Sequence, residues 1–144
     1  MVTALLCTDG SSLARAALVR GYPMIAADRV VLAMAMAPGD PVDAFASGFA
    51  GGVAIPLSTG ETQRVHDERV DAVRAQLAET AAALGLVDAE QTIVTGPPGP
   101  AICALAESLS ASVIVLGTRG HSGLRRAMLG SVSDYVVRNA PCPV

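Results

Sequence analysis

Lysine occurs nowhere in this chain of 144 residues, so all ten of its basic side chains are arginine. That excludes the P-loop, whose lysine reaches the β- and γ-phosphates of a nucleotide. It also excludes pyridoxal enzymes and Schiff-base aldolases, which need a lysine amine. Tryptophan is absent as well, and aromatic residues make up 3% of a chain that is 51% hydrophobic. Burial must therefore come from many small aliphatic contacts between closely packed layers, which favours helices laid on a sheet. Histidine is limited to His66 and His121, and Cys7, Cys103 and Cys142 show no C-x-x-C spacing, so a structural zinc site is not expected. Each cysteine sits among apolar neighbours, as a reduced thiol packed like a small hydrophobe does, and a reducing, cytoplasmic setting is the expectation. The G-x-G-x-x-G dinucleotide fingerprint and the G-x-S-x-G nucleophile elbow are both missing.

Charge is also sparse. The net charge is -3 and no block of like charges could track a polyanion, so nucleic acid is not an expected partner. No apolar run approaches the length that spans a bilayer, and the opening Met1-Val-Thr-Ala-Leu-Leu lacks a basic leader, so neither membrane insertion nor export is expected. The length suits one domain over residues 1–144.

What is present alternates between two periods. The apolar run Val2 to Cys7 ends at Thr8-Asp9-Gly10 and predicts a strand, a turn and then a helix carrying Ala14, Ala17, Leu18, Gly21 and Ile25. Pro23 should kink that helix or end it early. Val30 to Met36 predicts a second strand. Residues 38–57 show no sustained period and predict a long loop, open between a functional lid and a disordered segment. A long helix follows to Leu84, with Val70, Val73, Leu77 and Ala81 on one stripe. Next come a strand over residues 91–95, a rigid turn over 96–100, and a helix carrying Ile102, Leu105, Ala106 and Leu109. Val113 to Leu116 predicts a fourth strand. A final helix over 131–138 shows Val132, Tyr135 and Val136 at helical spacing, and Pro143-Val144 is where a fifth strand would begin. Alternating strands and helices predict a doubly wound parallel α/β sheet with helices on both faces, in which ligands sit beyond the carboxyl ends of the strands where strand order reverses.

One segment carries the candidate chemistry. Between the fourth strand and the last helix lies Gly117-Thr-Arg-Gly120-His-Ser-Gly123-Leu-Arg-Arg-Ala-Met-Leu-Gly130-Ser131. Glycines let a backbone approach an anion, the following helix start offers N–H groups and the positive end of its dipole, and Ser131 adds a hydroxyl. Arg119, Arg125 and Arg126 add positive charge. Read alone, such glycines mark turns as readily as phosphates. Asp9 reads as a ligand-facing acid, as an acid favoured at the following helix start, or as both. Cys7 reads as an inert buried thiol.

The spacing of Gly117, Gly120, Gly130 and Ser131, a G-x2-G-x9-G-S pattern, resembles the nucleotide signature of ATP-binding universal stress proteins. Thr8-Asp9-Gly10-Ser11 is similar to that family's first strand ending, and Gly130 to Val144 to its closing segment. The resemblance implies strand order 3-2-1-4-5, with the fifth strand truncated or missing in this chain. It implies that Thr8 and Asp9 meet the adenosine part of a nucleotide, with the backbone near Ala35 edging the adenine. Gly117, Arg119, Gly120, Gly130, Ser131 and Val132 would hold the phosphates and their surroundings. The ligand implied is an adenine nucleotide, ATP with or without magnesium, or ADP or AMP. The function implied is a stress-response module, more a binder than an enzyme, that couples occupancy to a homodimer or to a protein partner. Two alternatives stay open: a slow ATPase or self-phosphorylating enzyme using Ser131 or Ser122, and an interaction domain that binds no nucleotide. Strand two lacks the histidine that many relatives carry near its end.

Overall fold

A computed structural model of the chain describes residues 1–36, 49–50, 53–54, 59–119 and 129–144. In chain order the elements are β1 (Thr3–Thr8), α1 (Ser12–Gly21), a 3-10 turn (Tyr22–Met24), β2 (Arg29–Met36), β3 (Phe49–Ala50), β4 (Val53–Ala54) and α2 (Thr59–Leu84). They continue with β5 (Glu90–Thr95), α3 (Pro98–Ser108), β6 (Val113–Leu116) and α4 (Ser131–Asn139).

β1 is an inner strand of the main sheet, and all six of its residues are buried. Successive side chains on a strand point to opposite faces, so its apolar run feeds two cores. Leu5 and Cys7 join Val31, Ala33 and Ile114 on one face, where Ile102 and Ala106 of α3 and Val136 of α4 cover them. Ala4 and Leu6 join Leu32 and Met34 on the other, under Leu18 of α1 and Leu77 and Ala81 of α2. Each fully buried leucine in such a layer contributes roughly 1.5–3 kcal/mol. The apolar runs of β1 and β2 follow from this sandwiching, because both faces of an inner strand of a doubly wound sheet are covered.

The sheet order is β5-β2-β1-β6 and every pairing in it is parallel. Taking these as strands one to four, the order is 3-2-1-4, as expected. β2 and β5 extend to one side of β1 and β6 lies on the other, so strand order reverses between β1 and β6. On the far side of β6 the Ile114 N–H donates to the Pro143 carbonyl at 2.9 Å, which brings the last residues to the position where a fifth strand is expected.

Local chemistry explains the boundaries. Ser11 caps α1, its Oγ accepting from the Ala14 N–H at 3.1 Å. The helix ends at Gly21, and Pro23 falls in the 3-10 turn, so the proline ends the helix early instead of kinking it. The turn expected over residues 96–100 is shorter than that, because α3 already begins at Pro98. A proline in the first helical turn has its φ preset and gives up an N–H that no intrahelical carbonyl would accept. The segment expected to be one irregular loop contains a small antiparallel pair, β3 with β4, and the rest of residues 38–57 lies outside the described residues. Among the described residues no helix is long and apolar enough to cross a membrane.

Candidate functional site

A cleft of about 310 Å³ opens at the carboxyl ends of β1 and β6, where the strand order reverses. Thr8, Asp9, Ala35, Gly117, Arg119, Gly130, Ser131 and Val132 all line it. These come from four separate stretches of sequence. The ninth residue singled out from the sequence, Gly120, lies outside the described residues, as do His121, Ser122, Arg125 and Arg126.

The floor is made by the strand ends. Cys7 and Leu116 are register partners on β1 and β6, and Ala35 lies near the end of β2. Beyond Cys7 the chain turns sharply. The Gly10 N–H donates to Thr8 Oγ1 at 3.1 Å and the Ser11 N–H to Asp9 Oδ1 at 2.9 Å, with Gly10 at φ +81°, a backbone angle that favours glycine. Asp9 is therefore not the cap of α1, since Ser11 fills that place; its carboxylate braces the turn at the edge of the cleft.

The two helix starts that wall the cleft differ in chemistry. α3 begins Pro98-Gly99-Pro100, and the Ala101 N–H is already bonded to the Pro97 carbonyl at 3.0 Å. Two prolines without N–H groups leave this wall poor in donors, and Pro98 and Ile102 present it as an apolar surface. α4 begins at Ser131, where the first turn's N–H groups have no carbonyl within the helix and the dipole is positive. The acid of that turn, Asp134, is held by Arg138 Nε at 3.1 Å from both carboxylate oxygens, which offsets its charge. The cleft thus offers an apolar surface at one helix start and donors suited to an anion at the other.

Close packing fixes these walls. A Cβ on Gly117 would lie 3.3 Å from the Ala14 Cα and 3.3 Å from the Arg119 carbonyl, so this glycine lets the end of β6 approach α1. A Cβ on Gly99 would fall 2.6 Å from Tyr135 Cδ1 and 3.0 Å from Tyr135 Cβ, so the ring of α4 rests on the start of α3. Gly130 has extended backbone, φ −62° and ψ 153°, and its N–H donates to the Thr118 carbonyl at 3.0 Å.

The thiol of Cys7 borders the cleft but is inert to ionisation: burial, and secondarily Cys103, push it up to about 12. Among the described residues no group of three His, Cys, Asp or Glu side chains is disposed to hold a metal ion. Asp9 is the one carboxylate among the described lining residues, and the donor set therefore fits a phosphate better than a magnesium ion.

Sequence reading missed Pro98, Ile102, Thr118 and Ser133 as lining residues. Ile102 was legible only as core, because nothing in a helical stripe tells which end of it meets a cleft. Ser133 is buried in the first turn of α4, and its one signal was position, three residues after the last motif glycine.

A parallel α/β domain with its cleft at the switch point defines a ligand-binding doubly wound class. A family model described as the universal stress protein family matches residues 1–144, and the chain belongs to that family. It is 46% identical over 52 residues to a universal stress protein of Methanocaldococcus jannaschii, covering 36% of this chain and 31% of that protein. With a universal stress protein of Thermus aquaticus it shares 40% over 77 residues, 54% of each chain. The matched stretches thus span 31% to 54% of the length of these curated relatives. Among solved structures, a universal stress protein in complex with cAMP is 26% identical with a TM-score of 0.63, covering 99% of this chain and 94% of that one. The universal stress protein UspA from Lactobacillus plantarum is 23% identical with a TM-score of 0.65 and the same coverage, a likeness of fold.

Proposed function

We propose that this chain binds an adenine nucleotide at the switch-point cleft and acts through occupancy. The observation that carries the reading is the cleft's mixed lining: an apolar surface from Pro98 and Ile102 together with a helix start flanked by Gly130, Ser131 and Arg119. A purine is flat and apolar on its faces, and a phosphate is the anion that helix starts and glycines accommodate. The cAMP complex of the relative at 26% identity supports an adenine nucleotide as the class of ligand. In this reading Thr8 and Asp9 meet the ribose side, the backbone at Ala35 edges the base, and Gly117, Gly120, Gly130 and Ser131 receive the phosphates, with Arg119 adding charge and Val132 closing the wall. ATP is the form proposed, with ADP and AMP as variants of the same fit, and occupancy is read by a homodimer or a protein partner.

The experiment is to denature freshly purified protein and separate what it releases by chromatography. An adenine nucleotide near one per chain is expected. No nucleotide, together with no heat on titration with AMP or ATP, would remove the proposal. Light scattering with and without the nucleotide tests the coupling, which predicts a change in association state on binding.

A further inference from the structure

β5 forms an edge of the main sheet, and among the described residues its one ladder is with β2. The Gly96 N–H donates to the Met36 carbonyl at 3.0 Å. Backbone groups alternate sides along a strand, so Val94, Thr92 and Glu90 also turn toward β2, in register with Ala35, Ala33 and Val31. Gln91, Ile93 and Thr95 therefore turn their N–H and C=O groups to the open edge. The side chains of these three stand on the α2 face, where Ile93 packs against the core, and they line a groove of about 650 Å³ with Val70, Arg74 and Leu77 of α2. The opposite edge differs, since β6 is met there by Pro143 of its own chain.

Edge strands that stay unpaired are usually blunted by a charge, a proline or a bulge. From Gln91 to Thr95 this edge has no charged residue and no proline, four of its five residues are β-branched, and its pairing with β2 runs without a bulge. We propose that the open edge of β5 pairs antiparallel with the same edge of a second copy, across a two-fold axis at Ile93. The outward row matches itself when reversed: Gln91 falls opposite Thr95 of the second copy, and Ile93 opposite its own counterpart. Each such pair exchanges two backbone hydrogen bonds, about six in all. The strand's one charged residue, Glu90, falls opposite Gly96 of the second copy and is already held by Arg29 at 2.6 Å, so no like charges meet along the paired strands. An isologous contact of this kind closes on itself and leaves no further β5 edge to pair.

This gives the proposed homodimer a place and does not depend on nucleotide binding. Sedimentation velocity without ligand, from micromolar to near-millimolar protein, is run on the parent and on two double variants, with thermal melting as the check on folding. One strand pair is a small interface, so the parent should be a dimer at the top of that range and dissociate on dilution. Gln91 and Thr95 are both exposed. Gln91→Lys with Thr95→Lys sets lysine against lysine twice across the axis and should leave only monomer. Gln91→Lys with Thr95→Glu sets opposite charges there and should dimerise at least as tightly as the parent. A parent that stays monomeric throughout, a dimer indifferent to the lysine pair, or a dimer lost equally in both double variants overturns the inference. In the latter two cases a homodimer stands, but without this pairing, and titration of AMP into the parent reports on the cleft separately. Should the lysine pair prevent folding, Gln91→Pro, which removes an N–H from the open edge and no bond to β2, replaces it and should also yield monomer.

Discussion

Cys7 is 5% exposed at the end of β1 and borders the cleft, so its chemistry bears on what the site can do. Burial, with a smaller part from Cys103, pushes its thiol up to about 12 from 9.0. Burial raises Cys103 and Cys142 in the same direction, with Cys103 adding to the shift of Cys142. A folded pKa above the unfolded one means that the folded state holds its proton while the unfolded state loses it. The corresponding stability is therefore present below the unfolded value, 9.0, and is lost as pH rises toward about 12. Denaturant midpoints should fall between about pH 8 and about pH 10, and fall less in Cys7→Ser. An aromatic disulfide reagent should leave Cys7 unmodified in the native protein and modify it once the chain is unfolded. Native-state modification of Cys7 at the unfolded rate would contradict this burial. Reading Cys7 from sequence as an inert thiol needed only its apolar neighbours, whereas its place at the cleft needed the sheet register with Leu116.

Between elements, α3 and α4, which both line the cleft, meet at a close joint. Tyr135 sits over Gly99, and the contact reaches the inner atoms Cβ and Cγ of the tyrosine, which cannot swing aside as the end of a flexible side chain does. Gly99→Ala should therefore lower stability by about 1–3 kcal/mol, the range for overpacking. The same change in a Tyr135→Ala background should cost far less, because the two sites share one contact. Chemical denaturation of the four proteins measures the coupling, and additivity within about 0.5 kcal/mol would show that the ring does not bear on the glycine. The elements themselves were legible because continuous apolar runs and helical stripes are local patterns. Their mutual faces were not. Val132, Tyr135 and Val136 stand at helical spacing, but spacing alone does not show that Tyr135 is 40% exposed where it packs on Gly99 of another helix, or that Ser133 is buried.

At the scale of the molecule, the doubly wound order was legible from the alternation of strands and helices together with the family resemblance, and it predicts where a ligand must sit. The motif residues were legible because glycine spacing is written along one stretch of chain. Pro98, Ile102 and Ser133 were not, since their meeting with Cys7 and Ala35 depends on a crossover that brings the start of α3 to the same edge as β1 and β2. Binding of a nucleotide at that edge is the central claim, and Gly130 tests it most directly. Its φ of −62° is open to any residue, and aspartate is a favoured cap at such a helix start, so Gly130→Asp should fold. A Cβ there lies 3.2 Å from the Thr118 carbonyl, a squeeze that Gly130→Ala shares and so controls for. The decisive measurement is calorimetric titration of ATP into the parent, Gly130→Ala and Gly130→Asp. The account predicts that the parent binds, the alanine variant binds more weakly, and the aspartate variant, equally folded by melting, loses binding through charge repulsion. A folded Gly130→Asp protein that binds ATP as tightly as the parent would contradict it.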